Sequence, residues 1–219
     1  NRESYAAYLD LEADVTDKFN LGLAVRAEDY SDFGDTTSGK VSARYDFSDK
    51  VALRGTVSTG FRAPSLQQQF FRSTATNFIG GVPFDIRTFR VNDAAAIALG
   101  AEPLKAEESK NLSLGLVLQP IDNLYVTVDA YRIDIDDRIM LSENLTSNAV
   151  RAYLNANVDP ALGGGRYFTN AIDTSTKGVD IIGTYRWGIG NGSLDLTAGY
   201  NYNKTTVERI APNPAALTA

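Results

Sequence analysis

Residues Tyr5–Val15 read "YAAYLDLEADV". The odd positions are Tyr5, Ala7, Leu9, Leu11, Ala13 and Val15; the even ones include Asp10, Glu12 and Asp14. One face is greasy and the other acidic, which is the period-two signature of a strand. Outward along the chain the pattern recurs over residues 19–27, 40–47, 51–62, 111–118, 124–131, 178–187 and 194–203. Leu112, Leu114, Leu116 and Leu118 alternate with Asn111, Ser113, Gly115 and Val117; Val179, Ile181 and Tyr185 alternate with Asp180, Ile182 and Thr184. Within these eight stretches no charge falls on the apolar face.

Alternation does not say what the apolar face touches. A soluble sandwich buries it against a second sheet, while a membrane barrel turns it to lipid. Three features favour the barrel. Several stretches reach the ~9–11 residues that cross a bilayer obliquely, against ~5–6 for an ordinary strand. Connections alternate in length: short at residues 16–18, 48–50, 120–123 and 188–192, long at about 29–39, 63–108 and 136–176. Aromatics cluster at the stripe ends, with Phe19, Phe47 and Trp187 beside the short turns and Tyr5, Phe61 and Tyr202 beside the long loops. The expected fold is all-β: an antiparallel, nearest-neighbour, up-and-down meander of about eight strands, part of a transmembrane β-barrel, with short helices in long loops.

Composition narrows the function classes. The 219 residues include no Cys and no His, and the net charge is −6. Disulfides, thiolate metal sites and the commonest general base are thereby excluded. The charge argues against a nucleic-acid partner held through phosphates. No nucleophile has a visible base, so no catalytic residue, cofactor or metal is assigned and an enzyme is the least favoured class. The chain opens NRESYAAY, without Met or a signal peptide, and is read as a fragment or processed chain.

The long connections carry local signals. Asn92-Asp93, Ala94–Leu99 and Gly100 give an N-cap, a short helix and a C-cap; Thr146–Val158 gives a second helix; Gly163-Gly164-Gly165 is expected to be a flexible joint. Gly188–Gly192 resembles part of a nucleotide loop, but a strand follows it, so it reads as a hairpin turn. Asp134, Asp136 and Asp137 lack the Gly and distal Glu of a compact calcium loop, and Asn144-Leu145-Thr146 is a formal glycosylation sequon.

Four stretches, in order, resemble the TonB-dependent outer-membrane receptor family. Thr59-Gly60-Phe61-Arg62-Ala63-Pro64-Ser65-Leu66 is similar to its strand-to-loop signature. Leu104–Ser109 leading into Leu112–Gly115 is similar to a strand start of that family, as is Asn170–Gly183, "NAIDTSTKGVDIIG", with Asp180 where Glu is more usual. Asn123–Arg138, "NLYVTVDAYRIDIDDR", is similar to one of its strands. The resemblance implies a plugged barrel of about twenty-two strands, of which residues 1–219 would be a partial barrel domain without plug, coupling segment or final strands. It also implies a bacterial outer-membrane location, contact with outer-membrane lipid, coupling to TonB through the missing plug, and uptake of a scarce small-molecule nutrient. A ferric siderophore-like ligand leads; carbohydrate or another nutrient, a passive porin and a soluble β-rich binding module stay open.

Arg62 has two readings. Pro64 has no N–H to give and stops ladder pairing, so Arg62 stands on the lumen rim, where charge is ordinary; alternatively it meets an anionic ligand. The structural reading is preferred. Glu12, Arg26, Arg44, Arg54 and Asp180 are expected to face the lumen, where mixed sign suits cross-strand pairs. Ligand contacts are expected in the long loops, with Arg62, Gln67, Arg72, Arg87, Arg90 and Asn170 as candidates.

Overall fold

The computed structural model describes residues 2–212. Eight strands form one sheet: β1 (Ser4–Thr16), β2 (Phe19–Tyr30), β3 (Gly34–Ser48), β4 (Val51–Arg62), β7 (Glu107–Ile121), β8 (Leu124–Leu141), β10 (Phe168–Ile189) and β11 (Gly192–Ile210). All its pairings are antiparallel, in the order β1-β2-β3-β4-β7-β8-β10-β11. This is the expected meander, with the short turns where the sequence puts them. Gly190, at φ 57, supplies the left-handed residue of the last turn.

The strands run longer than alternation alone indicates. The expected long connection over 29–39 is corrected to the tight turn Ser31-Asp32-Phe33, because β2 and β3 continue pairing through Tyr30↔Gly34. The connection expected over 136–176 shrinks likewise, since β8 reaches Leu141 and β10 starts at Phe168.

The two remaining long connections fold together into one module. They contain α1 (Leu66–Phe70), β5 (Ser73–Ile79), β6 (Val82–Thr88), α2 (Ala94–Ala98), α3 (Asn148–Asn157) and β9 (Leu162–Arg166). The helices expected at Ala94–Leu99 and Thr146–Val158 are present as α2 and α3. Helix α1 begins with a capping box: Ser65 Oγ accepts from Gln68 N, and Gln68 Oε1 accepts from Ser65 N. Strands β5, β6 and β9 make a second sheet, in which β6 and β9 are parallel.

The Gly163–Gly165 joint is a correction. These glycines are buried in β9 and serve close packing. A Cβ on Gly163 would come within 2.5 Å of Phe84, one on Gly164 within 2.6 Å of the Leu145 carbonyl, and one on Gly165 within 2.7 Å of Phe89.

The buried core lies in this module. Phe89, Val91, Ala96, Leu99, Leu145, Val150, Leu154, Leu162 and Tyr167 pack together. The apolar face of the eight-stranded sheet is instead open: Leu9, Leu11, Val41, Leu114, Trp187 and Tyr202 are all exposed. Its apolar band is oblique to the strands. One register row runs Ala13–Leu21–Ala43–Gly55–Leu114–Ala130–Val179–Tyr202. The band's upper edge is Tyr5 on β1 and Tyr202 on β11. Tyr202 shares the row of Ala13, so the edge drops from residue 5 to residue 13 on the scale of β1 over seven strand-to-strand steps. That is about 26 Å along for about 34 Å across, an inclination of about 38°. Strands of membrane barrels tilt by roughly 35–45°.

Candidate functional site

The polar face of the sheet carries a series of hydrogen-bonded pairs. A single register row crosses all eight strands as Asp14–Asn20–Arg44–Arg54–Gly115–Asp129–Asp180–Asn201. Arg54 and Asp129 sit two strands apart and bond at 2.8 Å across Gly115. A Cβ there would lie 2.1 Å from Asp129 Oδ1 and 2.8 Å from Arg54 Nε, so any larger residue would displace this ion pair. Asn20 donates to Asp14 at 3.0 Å, Arg44 to Asp46 at 2.7 Å, and Asn201 to Asp180. Arg26 pairs with Glu28, which also accepts the Tyr30 hydroxyl. Glu12 shares the face but makes no hydrogen bond or ion pair among the described residues. The five expected lumen charges thus lie on one face, and two of them, Arg44 and Arg54, stand opposite each other.

The upper rim is tied by side chains from distant strands. Arg62 ends β4 and donates twice to Glu107 at the start of β7. Glu107 is 5% exposed and also accepts from Ile139 N of β8 at 2.7 Å. Asn170 is a clasp. Its Oδ1 accepts from Lys105 N, and its Nδ2 donates to the carbonyls of Lys105 and Asp137, so that the segment before β7 is held against β8 and β10. At the other end of the rim Asp32 accepts from Arg2 and Gln69. The hydrogen bonds from Arg2 outweigh burial and hold the Asp32 carboxyl below its usual range. Arg2 also covers the rings of Tyr30 and Phe33 at 5.6 and 5.4 Å.

Within the module the candidate residues differ. Arg87 is engaged, donating to Thr74 and to Asp159. The Ala161 backbone N–H, then Arg87, pull the Asp159 carboxyl below its usual range. Gln67, Arg72 and Arg90 are exposed, and their side chains make no hydrogen bond or ion pair among the described residues. Between the module and the ends of β8, β10 and β11 lies a cleft of about 580 Å³. Its lining includes Glu102, Lys105, Asp137, Tyr167, Asn170 and Arg209. Arg209 bonds Asp137 at 2.8 Å and also Asp173. Tyr167 donates to the Leu99 carbonyl, and burial raises its pKa.

Lys105, Asp137 and Arg209 are absent from the expected candidates. Their meeting depends on pairing between strands far apart in the chain, which no local motif reveals. Asp134, Asp136 and Asp137 do not converge on a metal: they pair with Arg132, Lys110 and Arg209 respectively. No group of three or more metal-ligating residues occurs among the described residues. The arrangement offers charged and hydrogen-bonding groups around a cleft, a chemistry of binding.

Comparison with known proteins places this architecture. The sequence profile described as TonB dependent receptor-like, beta-barrel matches residues 1–218. The probable TonB-dependent siderophore receptor PirA of Acinetobacter baumannii is 26% identical over 155 residues, covering 69% of this chain and 19% of that protein. The crystal structure of the siderophore receptor PirA from Pseudomonas aeruginosa superposes with a TM-score of 0.63 at 18% identity, over 95% of this chain and 37% of that one. The RagAB peptide importer in its closed-closed state superposes with a TM-score of 0.66 at 12% identity, over 96% of this chain and 23% of that one. At such identities the structural likeness speaks for the fold alone. The chain spans about a fifth of its curated relative. With the profile matching from end to end over an eight-stranded antiparallel meander, the chain belongs to the TonB-dependent receptor-like β-barrel family.

Proposed function

We propose that the chain is a stretch of barrel wall from a longer receptor of the bacterial outer membrane, and that this receptor takes up a ferric siderophore-like ligand by energy coupling through TonB. The observation that carries the proposal is the curated relative, a probable siderophore receptor. The oblique, exposed apolar band supports a lipid-facing wall, and the polar layer beneath it suits contact with a plug domain elsewhere in the receptor. TonB would engage through that plug, and nucleic acid has no part in the function.

On this reading the ligand contacts lie on the module. Gln67, Arg72 and Arg90 are exposed there, and two of the three are cations suited to an anionic ferric complex. Arg62, Arg87 and Asn170 are engaged in the framework that holds the loops, and their part in binding would be indirect.

The test is uptake of labelled iron by an iron-starved strain whose only siderophore receptor is the full-length protein. Catecholate, hydroxamate and carboxylate complexes are offered separately. At least one is expected to enter in a TonB-dependent manner, and to fail when the segments 63–106 and 142–167 are replaced by short turns. Entry of a sugar or peptide but no ferric complex would overturn the ligand class. Unchanged binding without the segments would overturn the placement, and uptake independent of TonB would restore the passive porin.

A further inference from the structure

One register row of the outward, apolar face changes character partway across the sheet. It runs Leu11–Leu23–Val41–Val57–Leu112 on five strands, then Arg132–Lys177–Lys204 on β8, β10 and β11. The band descends about one residue per strand, so this row leaves the apolar zone between β7 and β8. The three cations therefore stand immediately above the hydrocarbon boundary, one row above Ala130, Val179 and Tyr202. Lys177 and Lys204 are direct cross-strand partners, and Lys177 is also opposite Arg132. Like charges directly opposite each other destabilise a sheet. Asp134, on the same face, bonds Arg132 at 2.9 Å and attracts Lys177 at longer range, one carboxylate against three cations. The two lysine ammonium groups make no hydrogen bond or ion pair among the described residues.

Below them lies a groove of about 500 Å³, floored by Leu112, Leu114, Ala130, Val179 and Tyr202 and edged by the three cations. An apolar floor under a cationic edge that one carboxylate only partly offsets, at the level where headgroups begin, is complementary to an anionic amphiphile. We propose that this face of β8, β10 and β11 holds a membrane lipid whose headgroup is net anionic and presents an unmasked phosphate. Lys177 and Lys204 receive the phosphate, with Arg132 beside them, and an acyl chain lies along Leu112, Leu114, Val179 and Tyr202. The proposal rests on the reading of the chain as a membrane-spanning wall.

The experiment uses the full-length receptor, inserted in bilayers and then released into detergent for native mass spectrometry. Dioleoylphosphatidic acid and dioleoylphosphatidylcholine are the probes. The wild type should retain phosphatidic acid in preference, by about fivefold per cation engaged. Arg132→Gln/Lys177→Gln/Lys204→Gln should abolish the preference. Lys177→Arg/Lys204→Arg should keep it, and so should Lys50→Gln on the opposite rim. Excess inorganic phosphate should leave the lipid adduct in place. Equal retention of the two lipids, a preference that survives the triple Gln variant, or displacement by inorganic phosphate overturns the lipid site. If the triple variant does not insert, Lys177→Gln alone is read by the same criterion. A wild-type receptor that stays soluble and does not enter the bilayer would instead overturn the membrane reading beneath it.

Discussion

In the sheet, Leu9, Leu11, Val41, Val57 and Leu114 stand about half exposed, whereas in the module Ile86, Leu99 and Leu154 are fully buried. Both regions are rich in aliphatic side chains, but they dispose of them differently. The sheet turns them outward in an oblique band and, at the level of that band, keeps its charges on the other face, paired across strands as in Arg54–Asp129 or along one strand as in Arg44–Asp46. The module gathers them inward between two short helices, a parallel strand pair and Tyr167, as a water-soluble domain does. One chain thus follows two solvent rules, and the boundary between them is the rim where Arg62, Glu107 and Asn170 tie strand ends together. The following substitutions separate the two rules.

The largest effect is expected in the module. Leu154→Ala removes a fully buried side chain from its centre, a change that costs about 2–5 kcal/mol in a packed core. Hydrogen exchange on the full-length receptor should show α2, α3 and β9 losing protection while β1–β4 keep theirs. Equal loss throughout the sheet would mean that the module is not a separate unit of stability.

Next comes a pair of neighbours on β11. Leu196 faces outward within the apolar band; Thr197 faces the polar side, where its hydroxyl meets Thr184 at 3.1 Å. Leu196→Arg should destabilise the folded receptor in lipid vesicles by about 2–4 kcal/mol, falling toward zero near the interface. Thr197→Arg should stay within about 1 kcal/mol. Urea titration measures both, and a reversed order would exchange the faces of the sheet.

How far the sequence discloses this division follows from the same physics. Where one face meets lipid and the other does not, alternation is strict, so all eight sheet strands are legible. Above the boundary the outward face is no longer apolar: on β8 Arg132, Asp134 and Asp136 stand outward while Ile133 and Ile135 lie on the other face, so the apolar stripe is lost. That is why Asp136–Leu141 of β8, Phe168–Thr176 of β10 and Gly34–Gly39 of β3 read as loop. Helix α2 announces itself through Asn92-Asp93 and Gly100, although Asp93 makes no side-chain cap hydrogen bond, and α3 through the stretch ahead of Asp159-Pro160. Helix α1 carries its own signal, Ser65 followed by Gln68, which a search for capping boxes would find. Gly163–Gly165 misleads because glycine signals flexibility locally and close approach only in three dimensions. Glu107 and Asn170 fall in family-like stretches, and Asn170 among the ligand candidates, but their part in tying the rim lies in contacts 32 to 65 residues away.

Glu107→Gln tests the rim itself. The neutral amide keeps a carbonyl for Ile139 N but loses the charge-assisted double bond from Arg62. Because the Arg62 side chain is more than half exposed, it finds water instead, and the cost should be about 1–2 kcal/mol. Exchange at Ile139 and at the end of β4 should rise, with the module core unaffected. A loss as large as that of Leu154→Ala would show that rim and module are a single cooperative unit.

The smallest effect concerns acid. Asp32 has its pKa lowered in the folded chain, chiefly by the hydrogen bonds from Arg2 and further by Gln69. A depressed carboxyl contributes stability that is complete above the unfolded value of about 3.9 and is lost as pH falls through the folded value. The turn Ser31–Phe33 should therefore hold the N-terminal Arg2 and α1 at pH 7 and release them progressively below about pH 4. Other carboxylates titrate in the same window, so the informative quantity is a difference. Asp32→Asn should raise exchange in the turn and α1 at neutral pH and remove that part of the acid response, leaving the rest of the sheet unchanged. If wild type and variant loosen identically on acidification, the Arg2–Asp32–Gln69 contact does not hold the turn. The rim would then depend on the aromatic contacts of Tyr30, Phe33 and Phe61, whose ring centroids lie 4.5 to 6.5 Å apart.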